Sequence, residues 1–246
     1  MIHIANSNER HKVSRGPFTS RFLPLGRTIP DANDHGIAQI GRLEHAILEG
    51  GALVPMHLHQ NEEILSYIRK GTMHHKDSDG NDIPILNKHL MLMNAGSGIQ
   101  HEEGVREGDE TVEMLQIFIR PKADNLKPKV QFYEPDVINS RNKWRLLAGH
   151  EQSEAPMLFR SEVLFYDLHL QEGNIIQSPK LQGLTGFMYL FSGSVTIEDH
   201  TEMVGEGDQV IIKDEQLILK ANEDSNIVFF VLDESAPYSR NGLYTK

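Results

Sequence analysis

Helical periodicity is almost missing from this chain, and that constrains its fold more than any other feature. Apolar residues come in short runs punctuated by Gly, Asn and Asp, the pattern of strands joined by tight turns. Strands are expected at 41–49, 63–69, 71–76, 83–86, 89–94 and 112–119. Asp79-Gly80-Asn81 has the composition of a hairpin turn. Ala95-Gly96-Ser97-Gly98 has that of a turn that delivers the following residues to a fixed point. After Arg120-Pro121 a polar, Pro-containing stretch (Pro121, Pro128, Pro135) is expected to be a linker to about residue 142, with room for a short helix at 136–147. A second series of strands follows at 157–168, 185–191, 193–198, 209–212, 216–220 and 226–232. Turns such as Lys70-Gly71-Thr72 and Gly193-Ser194-Val195 occupy comparable places in the two series. The expectation is an all-β chain of two tandem β-barrels with an eroded repeat, divided as 1–135 and 136–246.

The 246 residues suffice for two such units, and 39% hydrophobic content suffices for their cores. No apolar run approaches the roughly 20 residues of a membrane span. The first ten residues lack the apolar stretch of a secretory signal, so a cytoplasmic protein is expected. There are no cysteines, which removes disulfides, thiolate nucleophiles and thiolate ligands. The net charge of −11 is uneven: residues 1–149 carry 18 basic and 19 acidic side chains, residues 150–246 carry 6 and 16. That balance argues against a nucleic-acid binder, which needs a basic face. The acidic half is read as a solvated surface. No apolar stripe demands a partner copy, and a monomer is expected.

Two i, i+2 pairs carry the chemistry, His57-Leu58-His59 and His101-Glu102-Glu103. Residues two apart on a strand share a face. If the two strands meet, three imidazoles and a carboxylate converge into a transition-metal site with room for an outside ligand. A lone His-x-His is weak, since 13 histidines give about 0.7 such pairs by chance. The ordered context is stronger: Gly51 before the first pair, Glu63 and Gly71 after it, and a glycine-rich turn before His101. Glu63 shares parity with His57 and His59 and competes with Glu103 for a place at the metal. Glu62 and Glu102 have the opposite parity and are expected to face solvent. His74, His75 and His89 are read as surface or packing residues, Met91, Met93 and Phe118 as core or pocket lining, and Trp144 as packing at the junction of the two lobes.

The array Gly51-x5-His57-x-His59-x3-Glu63-x7-Gly71 resembles the first cupin motif. The blocks Glu63–Gly71, His75–Asn81, Met93–Glu103 and Glu113–Ile119 resemble pirin, in the right order. The resemblance implies two jelly-roll cupin barrels, with metal in the first and a degenerate, metal-free second. It places the family's ligands on His57, His59, His101 and Glu103. The cofactor implied is one divalent transition metal, Fe(II) first, with Mn, Co, Ni, Cu or Zn as other ions such donors take. The activity implied is that of a quercetinase: oxidative ring opening of a flavonol or similar planar enolic aromatic by O2, with Glu103 also the base. The alternative is a non-catalytic, redox-sensing metal protein that regulates a transcription factor or a metabolic enzyme. The chain departs from the usual pirin pattern at Leu58, Gln60, Asn61 and Lys88-His89, which touch the rim of the site and a turn.

Overall fold

The structure is a computed structural model that describes residues 1–9, 11–22 and 36–245. In chain order the strands are β1 (Ile2–Ala5), β2 (His11–Arg15), β3 (Phe18–Phe22), β4 (Ile40–Leu48), β5 (Leu53–His59), β6 (Glu63–Lys70), β7 (Thr72–Asp77), β8 (Asp82–Leu86), β9 (Leu90–Asn94), β10 (Ile99–Gly104), β11 (Val112–Ile119) and β12 (Lys129–Tyr133). They continue with β13 (Arg145–Gly149), β14 (Met157–Leu158), β15 (Val163–Leu170), β16 (Ile175–Gln177), β17 (Thr185–Ser192), β18 (Ser194–Ile197), β19 (Glu202–Gly205), β20 (Gln209–Lys213), β21 (Ile218–Ala221) and β22 (Ser225–Leu232). A single 3-10 turn, Ser7–Glu9, is the helical element among the described residues. The all-β expectation holds.

The chain forms two compact units. One comprises Met1–Glu9, Asn139–Leu158 and Glu162–Ala236; the other comprises Arg10–Ile138, Phe159–Ser161 and Pro237–Lys246. In the second of these a seven-stranded sheet, β12-β9-β6-β11-β4-β3-β2, accompanies a four-stranded sheet, β5-β10-β7-β8. The first shows the same plan, β1-β20-β17-β22-β15-β13-β14 with β16-β21-β18-β19. The repeat that the sequence has nearly lost is intact in the strand order: β9-β6-β11-β4 corresponds to β20-β17-β22-β15, and β5-β10-β7-β8 to β16-β21-β18-β19. This is the tandem cupin architecture.

Each unit closes because the inner faces of its two sheets are apolar. In the histidine-bearing unit, Ile68, Met91 and Met114 from the large sheet meet Met73 and Ile85 from the small one. In the other unit, Met188, Leu190 and Phe229 meet Val195, Ile197 and Leu219. Each such side chain contributes about 1.5–3 kcal/mol on burial, which is what holds the sheets face to face. Trp144 packs on Phe229 with ring centroids 5.5 Å apart and donates its Nε1–H to the carbonyl of Gln177. All of these contacts are inside one unit.

Two local expectations need correction. The stretch expected to be a linker contains β12, which pairs antiparallel with β9. It is an edge strand, where Pro128 immediately before it costs no ladder bond and the flanking lysines mask the pattern. The short helix expected at 136–147 is absent, and the strand β13 begins at Arg145 instead. A short apolar run such as Leu146-Leu147-Ala148 does not distinguish helix from strand by periodicity.

Candidate metal centre

His57 and His59 project from one face of β5, as their spacing requires, and β10 pairs with β5 so that His101 lies directly opposite His57. The register then shifts, with Glu103 facing Val54. The irregularity falls beside Pro55, which has no N–H to give to the ladder, and such a bulge re-aims the side chains around it. The loop before β10 is fixed by Gly96, at φ 51°, where an added Cβ would come within 2.0 Å of the Leu126 carbonyl.

The three imidazoles meet through their Nε2 atoms. His57 Nε2 is 2.9 Å from His59 Nε2 and 3.1 Å from His101 Nε2. The partners of the other ring nitrogens assign the protons. His57 Nδ1 lies 2.9 Å from the Pro55 carbonyl, which can only accept, so this nitrogen donates. His59 Nδ1 donates to Glu62 Oε1 at 2.6 Å. In the neutral form that ligates a metal, both Nε2 atoms are then bare lone pairs, facing each other at hydrogen-bond distance with no proton of their own to share. Such a contact is repulsive unless a cation stands between them. Two nitrogens bound at adjacent positions of an octahedral ion, each about 2.1 Å from it, lie about 3.0 Å apart. The spacing observed is that of a metal face, and the residues fit a divalent ion.

The electrostatics agree. Burial, reinforced by the neighbouring imidazoles, pushes the pKa of His101 down to about 2. Burial also lowers that of His57. Neutral imidazole is the ligating form.

Glu103 is buried and stands beside the imidazoles, with its Oε1 3.6 Å from His101 Nδ1. The donor atoms of His57, His59 and His101 form one set, while His75, His101 and Glu103 form a second. In that second set the Nδ1 atoms of His75 and His101 and Oε1 of Glu103 have no hydrogen-bond partner. Gln116 Nε2 donates to the other oxygen of Glu103 at 2.9 Å. Burial raises the Glu103 pKa, offset in part by the nearby imidazoles and by Gln116. His75 is buried and not a surface residue: its Nε2 donates to Asp77 at 2.9 Å. His74 and His89 sit outside the cluster against Asp109 and Glu134.

Neither of the two neighbouring carboxylates sits where parity suggests, and both are buried. Glu63 is buried, but its oxygens accept from the Asn94 amide, from the Arg160 N–H at 3.1 and 3.0 Å and from the Ser161 hydroxyl. Those donors, and not the imidazoles, take up Glu63. Glu62, expected to face solvent, is fully buried and holds His59. The cause is the break between β5 and β6, where Asn61 adopts φ 55°, so that parity does not carry across it. An Asn between two strand-like runs is the signal that could have shown this, because Asn tolerates the left-handed region. Glu102 does point outward, partly exposed.

Beside the imidazoles opens a cavity of 590 Å³, lined by His57, His59 and Glu103 and by apolar side chains including Phe18, Met114 and Phe118. It also contains Tyr244, which no sequence signal connects to residues so far away along the chain. A cavity of this size, with apolar side chains among polar and charged ones such as Arg42 and Glu44, suits a small organic molecule.

Comparison with known proteins agrees with the geometry. The sequence model of the family described as Pirin matches residues 15–119. A quercetin 2,3-dioxygenase of Escherichia coli O157:H7 is 25% identical over 94% of this chain and 99% of its own length. A Zymomonas mobilis protein, provisionally named a quercetin 2,3-dioxygenase, is 30% identical over 72% of this chain and 74% of its own. The crystal structure of the bacterial pirin YhhW of Escherichia coli in complex with nickel(II) superimposes with a TM-score of 0.83, at 22% identity, over 96% of this chain and 100% of that one. Fold, motif order and relatives together make this chain a member of the pirin family of cupin proteins.

Proposed function

We propose that the protein is a metal-dependent dioxygenase of the quercetinase type, opening the central ring of a flavonol or a similar planar enolic aromatic with O2 and releasing carbon monoxide. The observation that carries this reading is the convergence of three imidazoles, His57 Nε2 lying 2.9 Å from His59 Nε2 and 3.1 Å from His101 Nε2, beside a cavity lined by His57, His59 and Glu103. His57, His59, His101 and Glu103 are the residues that would hold the ion, Fe(II) being the first choice and Mn, Co, Ni, Cu or Zn chemically acceptable to the same donors. The bound ion would supply Lewis acidity, lowering the pKa of a coordinating enol and linking it electronically to dioxygen.

The remaining work belongs to the protein. Glu103 Oε1, buried and without a partner, is available to take the proton of the substrate hydroxyl. Burial raises its pKa, which makes the carboxylate a stronger base than an exposed one. Gln116 holds the second oxygen and so fixes which oxygen faces the reaction. Phe18, Met114 and Phe118 exclude water and give a flat ring apolar surface to lie on.

The test is direct. Protein loaded anaerobically with Fe(II) is mixed with quercetin; the flavonol absorbance band is expected to persist until air is admitted, then to decay with release of carbon monoxide. His101→Ala is expected to lose both metal and turnover. A flavonol band that stays stable in air with every metal tried would overturn the reading.

A further inference from the structure

One wall of the cavity comes from the far end of the sequence. Pro237–Lys246 belongs to the histidine-bearing unit, and its described residues are fixed there at several points. The Ser239 N–H donates to the Pro121 carbonyl at 2.8 Å. Arg120, a fully buried guanidinium, donates Nε–H to the Thr245 carbonyl at 2.9 Å and packs over the Tyr238 ring at 5.4 Å. Thr245 is itself fully buried, and the chain around it is so close that a Cβ on Gly41 would lie 2.5 Å from its side chain. A Cβ on Gly242 would lie 2.1 Å from Thr245 Oγ1.

Between these anchors stands Tyr244. Its ring is 4.8 Å from that of His59, 6.3 Å from His57 and 6.2 Å from Phe118, centroid to centroid. It lines the cavity and is 41% exposed, so much of the ring is left for something else to cover. Its main chain is tied to the same place: the Tyr244 N–H donates to Glu62 Oε2 at 2.9 Å, while Glu62 Oε1 accepts a hydrogen bond from His59 Nδ1–H. One carboxylate thus spans an imidazole of the metal centre and the backbone of an aromatic side chain. The distance between them is preset before any ligand arrives.

We propose that Tyr244 is a substrate-binding residue, an aromatic wall on which the planar ring of the ligand stacks, held in register with the metal face through Glu62. The inference rests on the flavonol reading above and adds to it the residue that selects for flatness. An aromatic face keeps a planar aromatic better than an aliphatic of equal size does, because ring–ring packing adds to burial. The phenol hydroxyl is not required for this role.

The experiment uses the full chain loaded with metal under anaerobic conditions, where quercetin binding is read from the shift of its absorbance band without turnover. Tyr244→Phe is expected to bind within twofold of the wild type. Tyr244→Leu, which keeps the backbone N–H and the bulk but not the ring, is expected to weaken binding about tenfold, with metal content unchanged. Tyr244→Ala is expected to weaken it at least as much. In air, the loss is expected in KM more than in kcat. Wild-type affinity in a metal-replete Tyr244→Leu variant would overturn the inference, as would equal loss in Phe and Leu variants. Binding by the wild type without decay in air would retire the ring-opening activity alone. A wild type that does not bind the flavonol would retire both.

Discussion

His59 Nδ1 and Glu62 Oε1 are 2.6 Å apart and both are buried. This pair orients the centre: the carboxylate accepts a hydrogen bond from Nδ1–H and so holds Nε2 toward His57. Ligand histidines are commonly held this way, and removing the second carboxylate typically costs 10–100-fold in metal affinity. Glu62→Gln keeps an acceptor but removes the charge, and is expected to weaken metal binding about tenfold. Glu62→Leu leaves both His59 and the Tyr244 N–H without their acceptor and is expected to approach about 100-fold. Competition with a coloured chelator measures both. Unchanged affinity in the Leu variant would show that His59 is oriented by packing alone.

The bare Nε2 atoms make a second prediction, about stability. With both rings neutral, the His57 and His59 lone pairs held at 2.9 Å repel in the metal-free protein. A divalent ion removes the repulsion and, at a free concentration about 1000-fold above its Kd, stabilises the native state by about 4 kcal/mol. The thermal transition of the metal-loaded wild type is expected several degrees above that of the chelated protein. His57→Ala relieves the repulsion and removes a proposed ligand, so its transition is expected to be insensitive to metal. Calorimetry with and without chelator distinguishes the two; a metal-dependent shift that survives in His57→Ala would contradict the assignment of His57.

Much of this was legible in the sequence, for identifiable reasons. Period-2 geometry needs only local information, so His57 and His59 could be placed on one face. The facing of His101 required only that two strands pair. The strands themselves were legible where apolar runs end at Gly, as at Lys70-Gly71-Thr72. Parity failed at Glu62 and Glu63 because it assumes an unbroken strand, and Asn61 at φ 55° breaks it. The edge strand β12 was hidden because it buries little. Tyr244 was not legible at all: it reaches His59 through the fold, and neither residue carries a local trace of the other.

Glu63 gives the protein a pH dependence of its own. Burial holds its carboxyl up at about 7, against an ordinary value of 4.5, despite the donors from Asn94, Arg160 and Ser161. The folded protein therefore keeps a proton between pH 4.5 and 7 that the unfolded chain releases. The unfolded state binds fewer protons there, so stability falls as pH rises. The contribution is full below the unfolded value and lost as pH passes through the folded one, amounting to roughly 3 kcal/mol. The denaturant midpoint of the wild type is expected to decline from pH 5 to pH 8, and that of Glu63→Gln to decline much less. Parallel slopes for the two proteins would show that Glu63 is ionised in the fold.

The turn before β10 offers the sharpest separation of fold from chemistry. Gly96 adopts φ 51°, its carbonyl accepts the Asn61 N–H at 2.8 Å, and the Ser97 N–H donates to the Leu126 carbonyl at 2.9 Å. The turn is therefore clamped between the residue that redirects Glu62 and the strand that carries His101. A methyl group at Gly96 would meet the Leu126 carbonyl at 2.0 Å, which is backbone and cannot rotate away. Gly96→Ala combines this clash with a left-handed φ and is expected to destabilise the fold by about 2–4 kcal/mol. Because Asn61 is tied to the same turn, metal affinity is expected to fall as well, though no ligand has been altered. Gly80→Ala is the control: Gly80 is also at positive φ, 100°, but nothing lies within 4 Å of its missing Cβ, so only the backbone strain remains. Denaturation and metal titration of the two variants side by side separate strain from steric clamping. Gly96→Ala should lose affinity for metal and Gly80→Ala should keep it; equal affinities would break the proposed link between this turn and the imidazole face.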